Sequence, residues 1–440
     1  MAAGTNDDAP SRGGRIGCML LMGGAAVVLI GSVTAGCLAL TGRFPGDSMD
    51  IAWETPADSK DSEHGNGAWL AGDTLVRSRF DAVTGYDPGT GKRVWEYRPP
   101  GRSEICTAEA DTDNAILLVA RDDEKRPASA KRELCTTAAA IDMKNGREIW
   151  HVPIPADSDN GRLHQAPVTA GGGLAVLADK GLRAVDVRTG RSRWTAAVPK
   201  NCVPGEAAPA ERHVAALLAC GPGKPRSNGI PEDAELHAAA FDPATGALLW
   251  STPLGDREAV RWDVRASVVS ADPLVVSASY SGDSEIGAYY SFGEDGRPHP
   301  PIDYRGDYGD LNDKMSVAAV DDTRLYSLAG YYKKGGTRHR AVAFDLATGQ
   351  LAWRTDLDDQ PGLGLTLQDG TITVLARGSA TSPVPDEDLY VFDAATGKER
   401  DVRDFHDDVS AETIFEYQGL LIAARPGYAS DPPFTAYERS

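Results

Sequence analysis

One short pattern recurs along this chain and restricts its fold more than any other feature. It reads apolar-Asp-x-x-x-Gly-x-x-x-Trp. Copies stand at 86–95 (YDPGTGKRVW), 141–150 (IDMKNGREIW), 185–194 (VDVRTGRSRW), 241–250 (FDPATGALLW) and 344–353 (FDLATGQLAW). A sixth, 392–401 (FDAATGKERD), keeps Asp393 and Gly397 but has Asp401 in the tryptophan position. The pattern is the sequence of a β-hairpin. The apolar, β-branched residues before each Asp, as in AVAFD and LYVFD, read as a strand. The Asp carboxylate accepts from backbone N–H groups further along the turn. The Gly supplies the positive φ that the turn needs, and the next strand carries the Trp.

The aspartates fall at 87, 142, 186, 242, 345 and 393, in steps of 55, 44, 56, 103 and 48. The long step leaves room for a degenerate copy. AYYSFGEDGRPH (288–299) fits, with Gly296 at the glycine and Phe292 in place of the Asp. Hairpins at a period of about 50 residues predict four-stranded propeller blades. The ends of the chain predict one more blade. AETIFEY (411–417), GLLIAAR (419–425) and FTAYER (434–439) give three strands, and Asp50–Glu54, bearing Trp53, gives the fourth. The expected fold is therefore an all-β, eight-bladed propeller of four-stranded antiparallel blades, with seven blades as the fallback. The first strand completes the last blade and removes both open edges.

On this reading Trp53, Trp95, Trp150, Trp194, Trp250 and Trp353 dock between neighbouring blades, each burying roughly 150–250 Å². The turn formers are Asp87 with Gly91, Asp142 with Gly146, Asp186 with Gly190, Asp242 with Gly246, Asp345 with Gly349, and Asp393 with Gly397. A calcium role for these aspartates is disfavoured because they recur identically in every repeat.

Ile16 to Leu40 contains no charged residue. As a helix it is long enough to cross a hydrocarbon core of about 30 Å. Arg12 and Arg15 precede it and favour a cytoplasmic N-terminus. The expected organisation is a cytoplasmic tail (1–15), a transmembrane anchor (16–40), a linker (41–49) and an extracytoplasmic propeller (50–440). The alternative is a lipoprotein signal, since Val33–Cys37 (VTAGC) resembles a lipobox with Cys37 as the lipidated residue.

Cysteine usage agrees with an oxidising compartment. Of six cysteines, four lie beyond the apolar segment: Cys106, Cys135, Cys202 and Cys220. The local pairings are Cys106 with Cys135 and Cys202 with Cys220. The formal net charge of -19 repels phosphate backbones, which argues against nucleic acid as a partner.

The repeat resembles the tryptophan-docking motif of the PQQ-type propeller family, over about residues 50 to 440. That family includes PQQ-dependent alcohol and sugar dehydrogenases, the BamB-like scaffold lipoprotein of outer-membrane assembly, and actinobacterial membrane-anchored proteins with PQQ-like domains. The single anchor and acidic outer part look most like the last group. Many of the dehydrogenases carry a vicinal disulfide and a convergent calcium set. No two cysteines are adjacent here, and no such set can be picked out.

The eight histidines form no HxxxH or HxH pair, and neither a GxSxG elbow nor a P-loop occurs. Inter-strand segments longer than a hairpin needs stand at 121–132, 221–235, 280–287 and 379–387. Tyr304–Tyr308 (YRGDY) and Tyr331–Lys334 (YYKK) place aromatics in loop-like contexts suited to binding. The expected function is a non-catalytic scaffold or sensor, working without a cofactor, for a protein or peptide of the cell envelope. The alternatives are a PQQ- and calcium-dependent dehydrogenase and a propeller that binds a small ligand.

Overall fold

The computed structural model describes residues 48–57, 65–123, 135–154, 168–178, 181–226, 230–255, 264–280, 283–311, 318–333, 336–357, 362–377, 387–405, 409, 411, 413–425 and 432–440. The expected anchor, the lipobox with Cys37 and most of the linker lie outside them. Among the described residues no helix is long and apolar enough to cross a membrane. All the described strands lie within the compact unit Ser48–Ser440.

Those strands form antiparallel meanders. Five sheets have four strands each, in chain order; the first holds Gly65–Ala71, Thr74–Arg79, Val83–Tyr86 and Arg93–Tyr97. A six-stranded sheet is built around the long hairpin Arg324–Lys333 and Gly336–Asp345. The remaining sheet has eight strands. One half runs from Gly362–Gln368 to Glu399–Phe405, and the other joins Thr413–Tyr417, Leu420–Ala424 and Phe434–Arg439 to Ser48–Glu54.

The first strand of the chain thus lies against the last. Ile51 pairs with Tyr437 and Glu54 with Thr435, antiparallel. The strand begins at Ser48, ahead of the boundary read from the sequence. Met49 is 3% exposed, and it and Ser48 pair in parallel with Phe405 and Asp404.

Burial explains why the second and third strands are apolar at consecutive positions rather than alternately. In Val214–Cys220, Ala215, Leu217 and Ala219 enter one core cluster. Val214, Ala216 and Leu218 enter another. Each sheet is sandwiched between two neighbours, and runs such as Ala138-Ala139-Ala140, wholly buried, keep the stack close. The series of cores closes on itself. Leu75 of the first sheet packs with Ile422, Ala424, Phe434 and Ala436 of the last.

Antiparallel alternation sorts the connections. First-to-second and third-to-fourth turns fall at one end of the sheets, and second-to-third loops and crossovers at the other. Three of the long inter-strand segments, 121–132, 221–235 and 379–387, belong to second-to-third loops whose central parts lie outside the described residues. The fourth, 280–287, differs from the expectation of a long loop: it is largely strand, because Asp283–Ser291 begins soon after Val275–Tyr280 ends.

Candidate functional site

The repeat residues form one structural device. In the third sheet the Asp186 carboxylate accepts from the Thr189 backbone N–H at 3.0 Å and its hydroxyl at 2.8 Å. Asp242 does the same with Thr245, and Asp345 with Thr348. Those threonine bonds hold the Asp242 and Asp345 carboxyls below the ordinary range. The aspartates are engaged within their own turns.

All the turn glycines but Gly349 lie beneath the tryptophan of the preceding sheet. A Cβ on Gly190, whose φ is +67°, would stand 2.7 Å from the Trp150 ring. Trp95 sits on Gly146, Trp194 on Gly246, Trp250 on Gly296, Trp353 on Gly397 and Trp53 on Gly91. The indole N–H donates across the junction: Trp150 to Val187 O at 2.8 Å, Trp194 to Pro243 O at 2.9 Å, Trp353 to Ala394 O at 2.9 Å. The degenerate repeat keeps the geometry with different residues. Pro300 stands in its tryptophan position, and Gly349 lies against Pro300 O. The six rings occupy separate junctions and do not converge on a ligand.

The cysteines form two disulfides, Cys106–Cys135 and Cys202–Cys220. Cys202 and Cys220 face each other on adjacent strands of one hairpin.

The two aromatic segments singled out in the sequence come together at the long-loop end of the six-stranded sheet. The hairpin Arg324–Lys333 and Gly336–Asp345 pairs over its full length, from Arg324 with Asp345 to Lys333 with Gly336. Its outer neighbour, Leu351–Asp356, pairs as far as Arg340, and the Leu357 N–H donates to His339 O at 3.0 Å. Among the described residues, Tyr331 to Lys333 thus extend beyond that strand by about 10 Å, at roughly 3.3 Å per residue. On the inner side Gly309–Leu311 pairs with Ala329 and Gly330, and Arg305–Gly306 pairs with it in turn. This adds a small ribbon to the projecting hairpin.

The resulting platform is aromatic and charged. Tyr332 is 83% exposed. The Arg340 guanidinium lies 3.4 Å from the centre of the Tyr331 ring and 3.1 Å from Asp356. Arg305 pairs with Asp310 at 2.6 Å. Burial, then Asp303 and Asp307, push the Tyr308 hydroxyl up to about 12. Tyr304 differs from the loop-like reading. It is 2% exposed, edge-on to Tyr289 at 5.1 Å, and roots the ribbon in the core.

A second group stands on the inner strands. Glu109 is on Glu104–Asp111 and Glu206 on Cys202–Pro209, and the Glu109 charge acts on Glu206. Burial pushes the Glu206 carboxyl up to about 7, against hydrogen bonds from Val268 N–H and Ser267, and the Glu109 charge adds to the rise. Burial raises Glu109 as well. Sequence reasoning missed both, because nothing distinguishes them among 64 acids. Calcium takes about six to eight oxygens, more than these two carboxyls supply by themselves. No group of three or more His, Cys, Asp or Glu suited to a metal occurs among the described residues.

The chain matches the family described as outer membrane protein assembly factor BamB at residues 48–208, 135–328 and 232–401. No curated protein matches it. Among solved structures it is similar to BamB from Moraxella catarrhalis, at 16% identity and TM-score 0.49, over 89% of this chain and 99% of that one. It is similar to the computationally designed Ika8 protein at 13% identity and TM-score 0.52, over 88% and 99%. It also resembles a structure of the eukaryotic initiation factor at 11% identity and TM-score 0.50, over 88% and 90%. Such likenesses speak to fold alone.

Proposed function

We propose, because the chain belongs to the PQQ-like repeat family described as outer membrane protein assembly factor BamB, that it is an eight-bladed propeller acting as a non-catalytic protein-interaction scaffold. The observation that carries this reading is the platform at the hairpin tip, where Tyr332 and Arg305 are exposed and Tyr331 and Tyr308 are half-buried behind them. Tyrosine and arginine presented on a rigid sheet are residues enriched at the hot spots of protein interfaces. The repeat residues, by contrast, are occupied in holding blades together.

The apolar segment Ile16–Leu40 supports a site at the outer face of a membrane, and the two disulfides support an oxidising compartment. The platform at the long-loop end suits a protein or peptide of the envelope.

The test is calorimetric titration of the full chain with PQQ in the presence of calcium, together with a dye-linked oxidation assay on alcohols and sugars. A scaffold gives neither saturable heat nor turnover. Stoichiometric PQQ binding with oxidation would replace this reading by a dehydrogenase.

A further inference from the structure

The junction that closes the ring, between the last sheet and the first, is held differently from the junctions with bonded indoles. Of the six docking indoles, five donate across to the next sheet: Trp150 to Val187 O, Trp194 to Pro243 O, Trp353 to Ala394 O, Trp95 to Met143 O and Trp250 to Glu294 O, the last two at 3.1 Å. Trp53, at the closing junction, packs on Gly91, but its indole N–H is buried and has no hydrogen-bond partner among the described residues. A buried donor without an acceptor loses its water when the junction closes and regains it when the junction opens. This favours opening at Trp53 relative to the other five.

The core at this seam is also small. Leu75, Ile422, Ala424, Phe434 and Ala436 are its five buried side chains among the described residues, whereas eleven fill the junction between the first and second sheets. Two residues after Leu75, on the same strand face, stands the buried Arg77; two residues after Leu117, which faces the first sheet, stands Val119. Less apolar surface is therefore hidden where the ring closes, and hydrophobic stabilisation follows that area. The Tyr417 hydroxyl donates to Asp73 across the seam at 2.9 Å, but in an exposed position where water competes for both groups. The strand Ser48–Glu54 is itself well held in the last sheet. The Thr55 N–H donates to Phe434 O and the Ser440 N–H to Ser48 O, both at 3.0 Å. The weak place lies between the two sheets, not within one.

We propose that the ring opens reversibly at the Trp53–Gly91 seam, by separation of the last sheet from the first, ahead of the junctions whose indoles are hydrogen-bonded. Opening bares Leu75, Ile422, Phe434 and Ala436, an apolar strip that the closed ring hides. The seam is a conformational device of the fold and does not depend on what the tyrosine platform docks.

The test is maleimide labelling of single-site cysteine variants of the full chain in detergent micelles, without denaturant, read at each site by peptide mass spectrometry. L75C and A424C place the thiol in the seam. L117C places it at the junction held by Trp95, and A120C at the junction held by Trp150. All four native side chains are 0% exposed, so a thiol there reacts when its junction opens. L75C is expected to label at least about tenfold faster than L117C, and A424C at least about tenfold faster than A120C. Both members of a pair carry the same substitution, and labelling is done well below the thermal unfolding of either. The second pair changes only alanines, so it reads the seam even where loss of a leucine disturbs folding. Equal rates within either pair of folded variants overturn the proposal, as does faster labelling at position 117 or 120.

Discussion

Asp401 is ion-paired with Arg439. The carboxylate sits on Glu399–Phe405 at the position where six other fourth strands carry tryptophan, and Arg439 ends the last strand. Arg403 reaches the same oxygen at 3.2 Å. The neighbouring unit has no Asp-x-x-x-Gly turn there. The two ends of the fold meet instead, the Ser440 N–H donating to Ser48 O at 3.0 Å. With no turn glycine to receive an indole, a charge pair takes its place. The sixth repeat therefore departs from the pattern where ring closure removes its partner.

The two kinds of junction differ in strength. Trp150 is 9% exposed, and W150A should cost about 3–5 kcal/mol. The Arg439 side chain is 48% exposed, so R439Q should cost no more than about 1 kcal/mol. Urea unfolding of both variants measures the difference. Equal losses would show that the indoles do not hold the blades.

Glycine placement gives a second comparison. Gly72 has φ +56° with nothing within 4 Å of an added Cβ, so G72A carries backbone strain alone, about 1–2 kcal/mol. In G190A the same strain is joined by a clash with the Trp150 ring. Thermal unfolding should rank G190A well below G72A. The reverse order would contradict the docking geometry.

Much of this was legible in the sequence because the hairpin repeats its chemistry. Asp, Gly and Trp keep fixed spacings where the backbone demands them, so the strands around Asp242–Trp250 could be read directly. The closing strand was legible because Trp53 has the same apolar neighbours as Trp353. The tyrosine platform was half legible. Tyr304–Tyr308 and Tyr331–Lys334 stood out, but their meeting depends on the pairing of Asp310 with Gly330, which has no local signal. Glu206 was invisible, because burial arises only when distant strands assemble.

The inner-strand carboxyl makes stability depend on pH. Glu206 is raised by burial from 4.5 to about 7 in the folded state. Between those values the folded chain holds more protons than the unfolded chain, so stability falls as pH rises through that window and then levels. The Glu206 contribution to that fall is about 3 kcal/mol at most. In E206Q the decline between pH 4.5 and 7 should be smaller. An identical slope in the variant would show that Glu206 titrates normally.

The disulfides should contribute by closing loops in the unfolded chain, with the logarithm of loop length. Cys202 and Cys220 are 18 residues apart, and C202S/C220S should lose about 3 kcal/mol. Alkylation before reduction should leave Cys106, Cys135, Cys202 and Cys220 unlabelled. Labelling of all four in the native chain would rule both bridges out.

The docking claim is tested most directly by a photo-crosslinking residue placed at Tyr332, with Ala395 at the opposite, short-turn end as the control, in the full chain in its own membranes. The scaffold reading predicts a discrete protein adduct from position 332 that position 395 does not give. Adducts of equal yield from both ends, or none from Tyr332, would contradict it.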